Sequence, residues 1–140
     1  MAASPTVRDW PIVAGMVALA TFARMYVADL DRAIEALAAS GITDVRLRFG
    51  HTAGLQLALV GYVLVLAAPA GMLEPFRATS LTVIVDDLDG AIEAARQAGA
   101  QVSREPAEQA TGRNVTMSFA SGPVIEYVEW NLQTRQAAGL

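Results

Sequence analysis

Hydrophobic residues along this chain change from strand spacing to helix spacing and back, and the same order of changes occurs twice. In the first half, residues 30–40 predict an amphipathic helix because apolar side chains recur at intervals of three and four, at Leu30, Ala33, Ile34, Leu37 and Ala38. Strands are predicted on both sides of this helix, at residues 21–27, 44–49, 55–60 and 62–67. The second half repeats the order with a helix at 88–98 and strands at 80–85, 101–105, 114–119 and 123–129.

The repetition is visible in the letters themselves. VADLDRAIEALAASG at residues 27–41 returns 58 residues later as VDDLDGAIEAARQAG at residues 85–99. Asp29 and Asp87 stand where each helix needs an N-cap, and Gly41 and Gly99 follow each helix where a left-handed residue is common. The chain therefore consists of two copies of one βαβββ unit, and the place where the copies meet is the first candidate for a site.

These elements divide the chain into five parts within a single domain, as its 140 residues suggest. Residues 106–112 form a longer connection inside the second module, and the C-terminal tail is expected to be frayed. The parts are an N-terminal arm (1–20), module 1 (21–68), a linker (69–79), module 2 (80–130) and the tail (131–140).

The composition limits the classes of function. The chain is 54% hydrophobic and only 17% charged, with a mean hydropathy of +0.37, so apolar surface is left over for a pocket or a subunit interface. Its net charge of −4 argues against nucleic acid as a partner and favours neutral or cationic ligands. Cysteine and lysine are both absent, which excludes thiolate and Schiff-base chemistry. The use of arginine throughout is attributed to a GC-rich genome.

The arm contains a 12-residue apolar run at residues 11–22. That run is too short to span a bilayer. It resembles a secretory signal only superficially, because it continues without a break into the first predicted strand. The sequence therefore predicts no membrane association and a cytoplasmic protein.

Two βαβββ modules that open with V-x-D-L-D-x-A-I-E, the second closing with G-P-V-I-E-Y-V-E-W, resemble the glyoxalase/bleomycin-resistance family, also called the vicinal oxygen chelate (VOC) superfamily. The resemblance covers roughly residues 21–130. It implies an α+β fold in which the paired modules form a curved mixed sheet enclosing a cup, and commonly a homodimer. It does not imply one function, because the superfamily includes isomerases, dioxygenases, thiol transferases and drug-binding proteins.

The enzymes of that superfamily hold a metal on the first and last strand of each module. The resemblance assigns these four positions to Phe22, Val65, Ser80 and Glu126. Only Glu126 has a ligating side chain, whereas a catalytic metal needs about three protein ligands. No metal and no cofactor are therefore expected.

Strand alternation then predicts which side chains line the cup. The cup is expected to be mostly apolar, with a few polar groups, as small-molecule sites are. Arg24 either joins this site or simply pairs with Glu126 or reaches solvent at the rim. The predicted ligand-binding residues are Phe22, Arg24, Tyr26, Val63, Val65, Ser80, Thr82, Met117 and Glu126.

Other chemically distinctive residues are open to two interpretations. His51, the single histidine, lies in a glycine-flanked connection and is expected to be an exposed loop residue. Arg46 and Arg48 alternate with apolar residues, which indicates either a solvated face or a clamp for an anion. Trp10 and Trp130 could serve as a dimer contact or as a lid over a ligand.

Three functional hypotheses follow. The first is a metal-independent protein that binds a hydrophobic or amphipathic small molecule, such as a natural product or drug, and sequesters it. The second is a metal-free isomerase, cyclase or dehydratase acting on a natural-product intermediate, with Glu126 as general acid or base and Arg24 or Tyr26 stabilising an oxyanion. The third is a structural dimer with a vestigial cup. The arm is expected to cover or exchange with a partner subunit.

Overall fold

The computed structural model describes residues 16–50 and 54–140 of the chain, so Trp10, His51 and most of the predicted arm lie outside the described residues. Within these residues, eight strands and two ten-residue helices follow the predicted order, and two shorter helices that were not predicted lie in the linker and in the tail. The strands are β1 (Ala18–Val27), β2 (Val45–Gly50), β3 (Gln56–Val60), β4 (Val63–Ala67), β5 (Leu81–Val85), β6 (Gln101–Gln109), β7 (Gly112–Ser118) and β8 (Val124–Trp130). The helices are α1 (Leu30–Ala39), α2 (Ala70–Leu73), α3 (Leu88–Gln97) and α4 (Leu132–Ala137), with a 3-10 turn at Glu74–Phe76.

The two long helices begin and end as the duplicated sequence predicts. The Asp29 carboxylate accepts a hydrogen bond from the backbone N–H of Arg32 at 3.1 Å, and the Asp87 carboxylate accepts one from that of Gly90 at the same distance. Gly41 and Gly99, just beyond the two helices, have φ of 86° and 90°. This left-handed conformation disfavours every residue with a Cβ, so the predicted caps are confirmed.

All eight strands form one mixed sheet in the order β2-β3-β4-β1-β5-β8-β7-β6. Each module contributes four adjacent strands, and the modules join where β1 pairs with β5 in antiparallel fashion, with Phe22 opposite Thr82. Within each module the first and last strands are parallel, β1 with β4 and β5 with β8. The predicted α+β cup built from two βαβββ modules is confirmed.

The helices α1 and α3 cover one face of the sheet, and the other face forms the cup. Under α1 lies a cluster that includes Leu30, Leu37 and Val65, and under α3 lies a second cluster that includes Leu88 and Met117. The cup face has its own apolar cluster, centred on Phe22, which is fully buried. Both faces of the sheet are thus apolar, which explains the unusual hydrophobicity of the sequence.

The start of β1, the end of β6 and the tail differ most from the prediction. Strand β1 begins at Ala18, so residues 18–20 belong to the sheet and not to the arm. Residues 106–109 belong to β6 rather than to a connection, since an edge strand with an irregular register tolerates Pro106. The tail is not frayed: Asn131 caps α4 by accepting from the Thr134 N–H at 2.9 Å, and Ala138 packs into the cup cluster with 1% exposure.

None of the helices among the described residues is long and apolar enough to cross a membrane.

Candidate functional site

The cup holds two adjoining chambers, one with a mainly apolar wall and one with a more polar wall, which are named the inner and the outer chamber. The inner chamber, with a volume of about 70 Å³, is walled mainly by Leu55, Leu57, Leu64, Leu66, Val128 and Trp130. The outer chamber, of about 130 Å³, adds Thr79, Arg104, Ala107 and Thr116. The chambers adjoin, because Arg24, Phe76, Gln109, Asn114 and Glu126 line both of them.

An arginine and a glutamate face each other at the junction of the two chambers. The Nη1 atom of Arg24 lies 3.9 Å from Oε1 of Glu126, and the two side chains are 4% and 20% exposed. The same Oε1 accepts a hydrogen bond from the Thr82 hydroxyl at 3.1 Å. Strand register explains the arrangement, since Thr82 pairs with Glu126 across β5 and β8. The structure therefore brings together three of the predicted site residues.

The Arg24 guanidinium is poorly satisfied for a buried cation. Its Nε atom has no hydrogen-bond partner among the described residues, and the 3.9 Å contact with Glu126 is longer than a hydrogen bond. The Tyr26 ring lies 5.4 Å from the guanidinium carbon and contributes a cation–π contact. A buried charge with incomplete partners is costly, so this position calls for a further acceptor.

Tyr26 faces the cup, but its hydroxyl is engaged by the linker. The Tyr26 hydroxyl lies within hydrogen-bond distance of the backbone carbonyl of Phe76 and of that of Thr79, at 2.6 Å. Burial raises the pKa of Tyr26 above its ordinary value of 10.0, although the nearby Arg24 opposes this shift. The phenol therefore holds the linker against the cup and is not poised to stabilise an oxyanion.

Four of the predicted cup residues lie elsewhere. Val63 and Val65 pack in the cluster under α1, and Met117 packs in the cluster under α3. Ser80 precedes β5 and is exposed, its hydroxyl lying 3.2 Å from the backbone carbonyl of Val124. The inner face of β4 is instead formed by Leu64 and Leu66.

Strand register explains why Val63 and Val65 lie on the other face. Aligning the modules by Gly61 and Gly122, which precede the last strands, places Val65 opposite Glu126, one residue away from the counterpart that the strand pairing gives. A shift of one residue moves every side chain of a strand to the other face. The structural counterpart of Glu126 in module 1 is Leu64, which pairs with Arg24 as Glu126 pairs with Thr82.

Several cavity residues escaped sequence reasoning. Leu55 and Leu57 are two residues apart, as expected for side chains on one face of a strand. Strand β4 has the sequence Val-Leu-Val-Leu-Ala and is apolar on both faces, so the sequence does not show which face of β4 lines the cup. Phe76 comes from the linker, and Arg104 from the edge strand β6, and no local signal marks either one. Asn114 and Thr116 could have been found, because they alternate with the buried Val115.

The two arginines of β2 do not form an anion clamp. Arg48 lies 3.0 Å from the Asp31 carboxylate on α1. Arg46 donates to the carbonyls of Gly61, at 3.1 Å, and Ala138. A register shift between Val45 and Leu47 breaks their alternation, so the two side chains serve separate structural roles.

The side chains at the superfamily's metal positions do not fit a metal. Glu126 offers a carboxylate and Ser80 an exposed hydroxyl that donates to the Val124 carbonyl at 3.2 Å, while Phe22 and Val65, or its structural counterpart Leu64, have no donor atoms at all. Across residues 16–50 and 54–140, no group of three or more histidine, cysteine, aspartate or glutamate side chains is arranged to hold a metal ion. The donor set therefore falls short of the roughly three protein ligands that a catalytic metal needs.

The chain is similar in structure to several known proteins. No model of a known family matches the sequence, and no curated protein matches it. Among solved structures, an uncharacterised protein from Methanosarcina mazei is 38% identical, with a TM-score of 0.76 over 82% of this chain and 94% of that chain. Methylmalonyl-CoA epimerase from Mycobacterium tuberculosis is 19% identical, with a TM-score of 0.63 over 89% of this chain and 97% of its own.

A looser match is a member of the glyoxalase/bleomycin resistance protein/dioxygenase superfamily from Sphaerobacter thermophilus. It is 15% identical over 81% of this chain and 98% of that chain, with a TM-score of 0.32. The duplicated V-x-D-L-D-x-A-I-E module and the single cup-shaped sheet give the chain the fold of the glyoxalase/bleomycin-resistance, or vicinal oxygen chelate, superfamily.

Proposed function

We propose that this protein binds a small molecule in the cup without a metal, and that it acts by sequestering a hydrophobic or amphipathic natural product or drug. The observation that carries the proposal is the two-part cavity, in which an apolar inner chamber adjoins a polar outer chamber at Arg24 and Glu126. A concave apolar site with a few convergent polar groups is typical of small-molecule binding.

The apolar wall supports this proposal quantitatively. Leu57, Leu64 and Trp130 are 7%, 5% and 6% exposed, so packing within the cup holds these side chains in place. Each 100 Å² of apolar ligand surface that the wall covers contributes about 2.5 kcal/mol before the cost of association. A ligand with a compact apolar part is therefore favoured over a purely polar one.

Obstructing the cavity tests the proposal. The probe is 4-phenylbutyramide, a neutral aryl amide, whose binding is followed by saturation-transfer NMR. Asn114→Trp places a large ring between the two chambers and should abolish binding, whereas Gln101→Trp, on the exposed start of β6, should leave it unchanged. Equal binding to both variants would mean that the probe does not enter the cup.

Metal independence has its own test. The donor set of one carboxylate and one hydroxyl supports it, because a catalytic metal site needs about three protein ligands. Elemental analysis of the purified protein should find no stoichiometric divalent ion, and a chelator should not change the melting temperature. About one zinc, nickel, manganese or iron per chain would overturn this part of the proposal.

A second candidate is a metal-free isomerase, cyclase or dehydratase with Glu126 as general acid or base. The carboxylate of Glu126 lines both chambers, is held by Thr82 and lies beside Arg24, which could stabilise a developing oxyanion. Glu126→Gln distinguishes the two candidates. Binding should persist in this variant, whereas proton-transfer catalysis should fall by about 10²–10⁴-fold.

We also propose that the protein is a cytoplasmic homodimer, with the N-terminal arm contacting the partner subunit. Both modules of the cup come from one chain, so a dimer needs no exchange of modules. The backbone N–H of Val17 donates to the Asp86 carboxylate, and the backbone N–H of Asp86 donates to the Val17 carbonyl. The test therefore deletes residues 1–15 and leaves this contact intact. Light scattering should show a dimer that the deletion weakens, and a monomer in both cases would contradict the idea.

A further inference from the structure

The most unusual group in the molecule is the buried guanidinium of Arg24. Its side chain is 4% exposed, it lines both chambers of the cup, and its Nε has no partner among the described residues. Its carboxylate neighbour, Glu126, stays 3.9 Å away and accepts a hydrogen bond from Thr82 instead. Arg24 therefore lines the cavity with its hydrogen-bonding capacity incompletely used.

A second arginine, Arg104, also lines the outer chamber. Arg104 lies over the ring of Phe76 at 4.2 Å and donates to the Pro75 carbonyl at 3.2 Å, which fixes its guanidinium beside the chamber. Phe76 itself lines both chambers. Arg77 lies nearby, over the ring of Tyr26, but is paired with Glu74 at 3.6 Å.

The outer chamber therefore contains two guanidinium groups against one carboxylate. This local excess of positive charge is opposite in sign to the net charge of −4 for the whole chain. The local charges decide recognition, because charges farther away than about 8 Å are largely screened at physiological ionic strength. The expectation of a neutral or cationic ligand, which was drawn from total charge, does not follow from the site.

Resting on the function proposed above, we infer that the ligand is an amphipathic acid. Its carboxylate, or an oxyanion of similar size, occupies the outer chamber between Arg24 and Arg104, and its apolar part fills the inner chamber. Arginine matches a carboxylate with two parallel N–H donors, and the apolar wall accepts the remainder of the molecule. The Glu126 carboxylate then lies beside the ligand's carboxylate, and its charge disfavours a ligand with a second negative charge at that end.

The test compares two probes that differ only in charge: 4-phenylbutyrate and 4-phenylbutyramide. Isothermal titration calorimetry at neutral pH should show that the acid binds about ten- to a hundred-fold more tightly than the amide, as expected for hydrogen bonds to a charged group. Arg24→Gln should remove this preference. Arg104→Ala should reduce it, whereas Arg32→Ala, on an 87% exposed side chain of α1, should leave it unchanged.

Glu126→Gln gives a prediction of opposite sign. Removing the neighbouring negative charge should tighten binding of the acid by at least about threefold and leave the amide unaffected. Weaker acid binding in this variant, or equal loss of both probes in Arg24→Gln, would show that the pair is merely structural and would overturn the inference. Circular dichroism of each variant verifies its fold, and the comparison of the two probes in the wild-type protein needs no variant at all.

The two proposals fail in different ways. If neither probe binds the wild-type protein, the cup is not a binding site for molecules of this kind, and both proposals fall. If both probes bind equally and Asn114→Trp blocks both, the cup remains a binding site but the preference for an acid is refuted. If the acid is preferred and Arg24→Gln abolishes the preference, the inference is supported.

Discussion

The ion pair at the centre of the cup should respond very unequally to removal of its two partners. Glu126→Gln leaves the Arg24 guanidinium charged, 4% exposed and without a carboxylate, whereas Arg24→Met leaves Glu126 at 20% exposure with its hydrogen bond from Thr82. The first change leaves a buried charge without its counter-charge, and the second leaves a partly exposed carboxylate. We expect Glu126→Gln to destabilise the protein much more than Arg24→Met.

The magnitude follows from the geometry. At 3.9 Å and an effective dielectric constant of about 20, the attraction between the two charges is about 4 kcal/mol. Partial exposure of Glu126 reduces this figure, so Glu126→Gln should lower the free energy of unfolding by about 2–4 kcal/mol. Arg24→Met loses the same attraction but removes a desolvation cost of several kcal/mol, so its net change should lie within about 1 kcal/mol of zero.

Equilibrium unfolding in urea without ligand measures both changes. Trp130 is 6% exposed, and its fluorescence should report the loss of the cup. The double variant, Arg24→Met with Glu126→Gln, should have a stability close to that of Arg24→Met, because it contains no buried charge without a counter-charge. Arg32→Met, whose side chain is 87% exposed, provides the control and should change stability very little. Equal losses in Glu126→Gln and Arg24→Met, or a larger loss in Arg24→Met, would refute the reasoning.

Three further changes test the fold around the site. Gly112→Ala should destabilise the protein by at least about 2 kcal/mol more than Gly99→Ala, because a Cβ at Gly112 (φ 145°) would lie 2.1 Å from the Glu129 carbonyl oxygen, whereas Gly99 (φ 90°) faces open space; thermal unfolding measures the difference, and equal losses would contradict the expected clash. Tyr26→Phe should cost about 0.5–1.5 kcal/mol through loss of the hydroxyl's hydrogen bonding to the linker. Because burial raises the pKa of Tyr26 in the folded state, its contribution is complete below pH 10.0 and is lost as the pH rises from that value toward the folded pKa; wild-type stability should therefore fall more steeply than that of the variant in alkaline urea titrations, and parallel curves would contradict this. Asn131→Ala removes the N-cap of α4 and should cost about 1 kcal/mol, visible as faster hydrogen exchange in that helix; unchanged exchange would show that the cap is dispensable.

The sequence by itself determined the architecture of this protein. The repeated VxDLD segment identified two equal modules, and the aspartates and glycines that bound α1 and α3 specified where each helix begins and ends. These features act over a few residues, through capping and backbone conformation. Alternation on β1 likewise put Arg24 on the same side as Phe22, and the structure brings it beside Glu126.

Only the tertiary structure decided which side chains complete the cup. The alternation of side chains along a strand shows which residues share a face, but pairing with the neighbouring strands decides whether that face lines the cup. Met117 pairs with Ile125 and Thr116 with Glu126, so Thr116 faces the cup and Met117 does not. The tertiary structure also brings Phe76 and Arg104 to the cavity from distant segments, and it leaves the Nε of Arg24 without a partner among the described residues. Such contacts depend on turn lengths and on packing between segments far apart in the chain, which local patterns do not record.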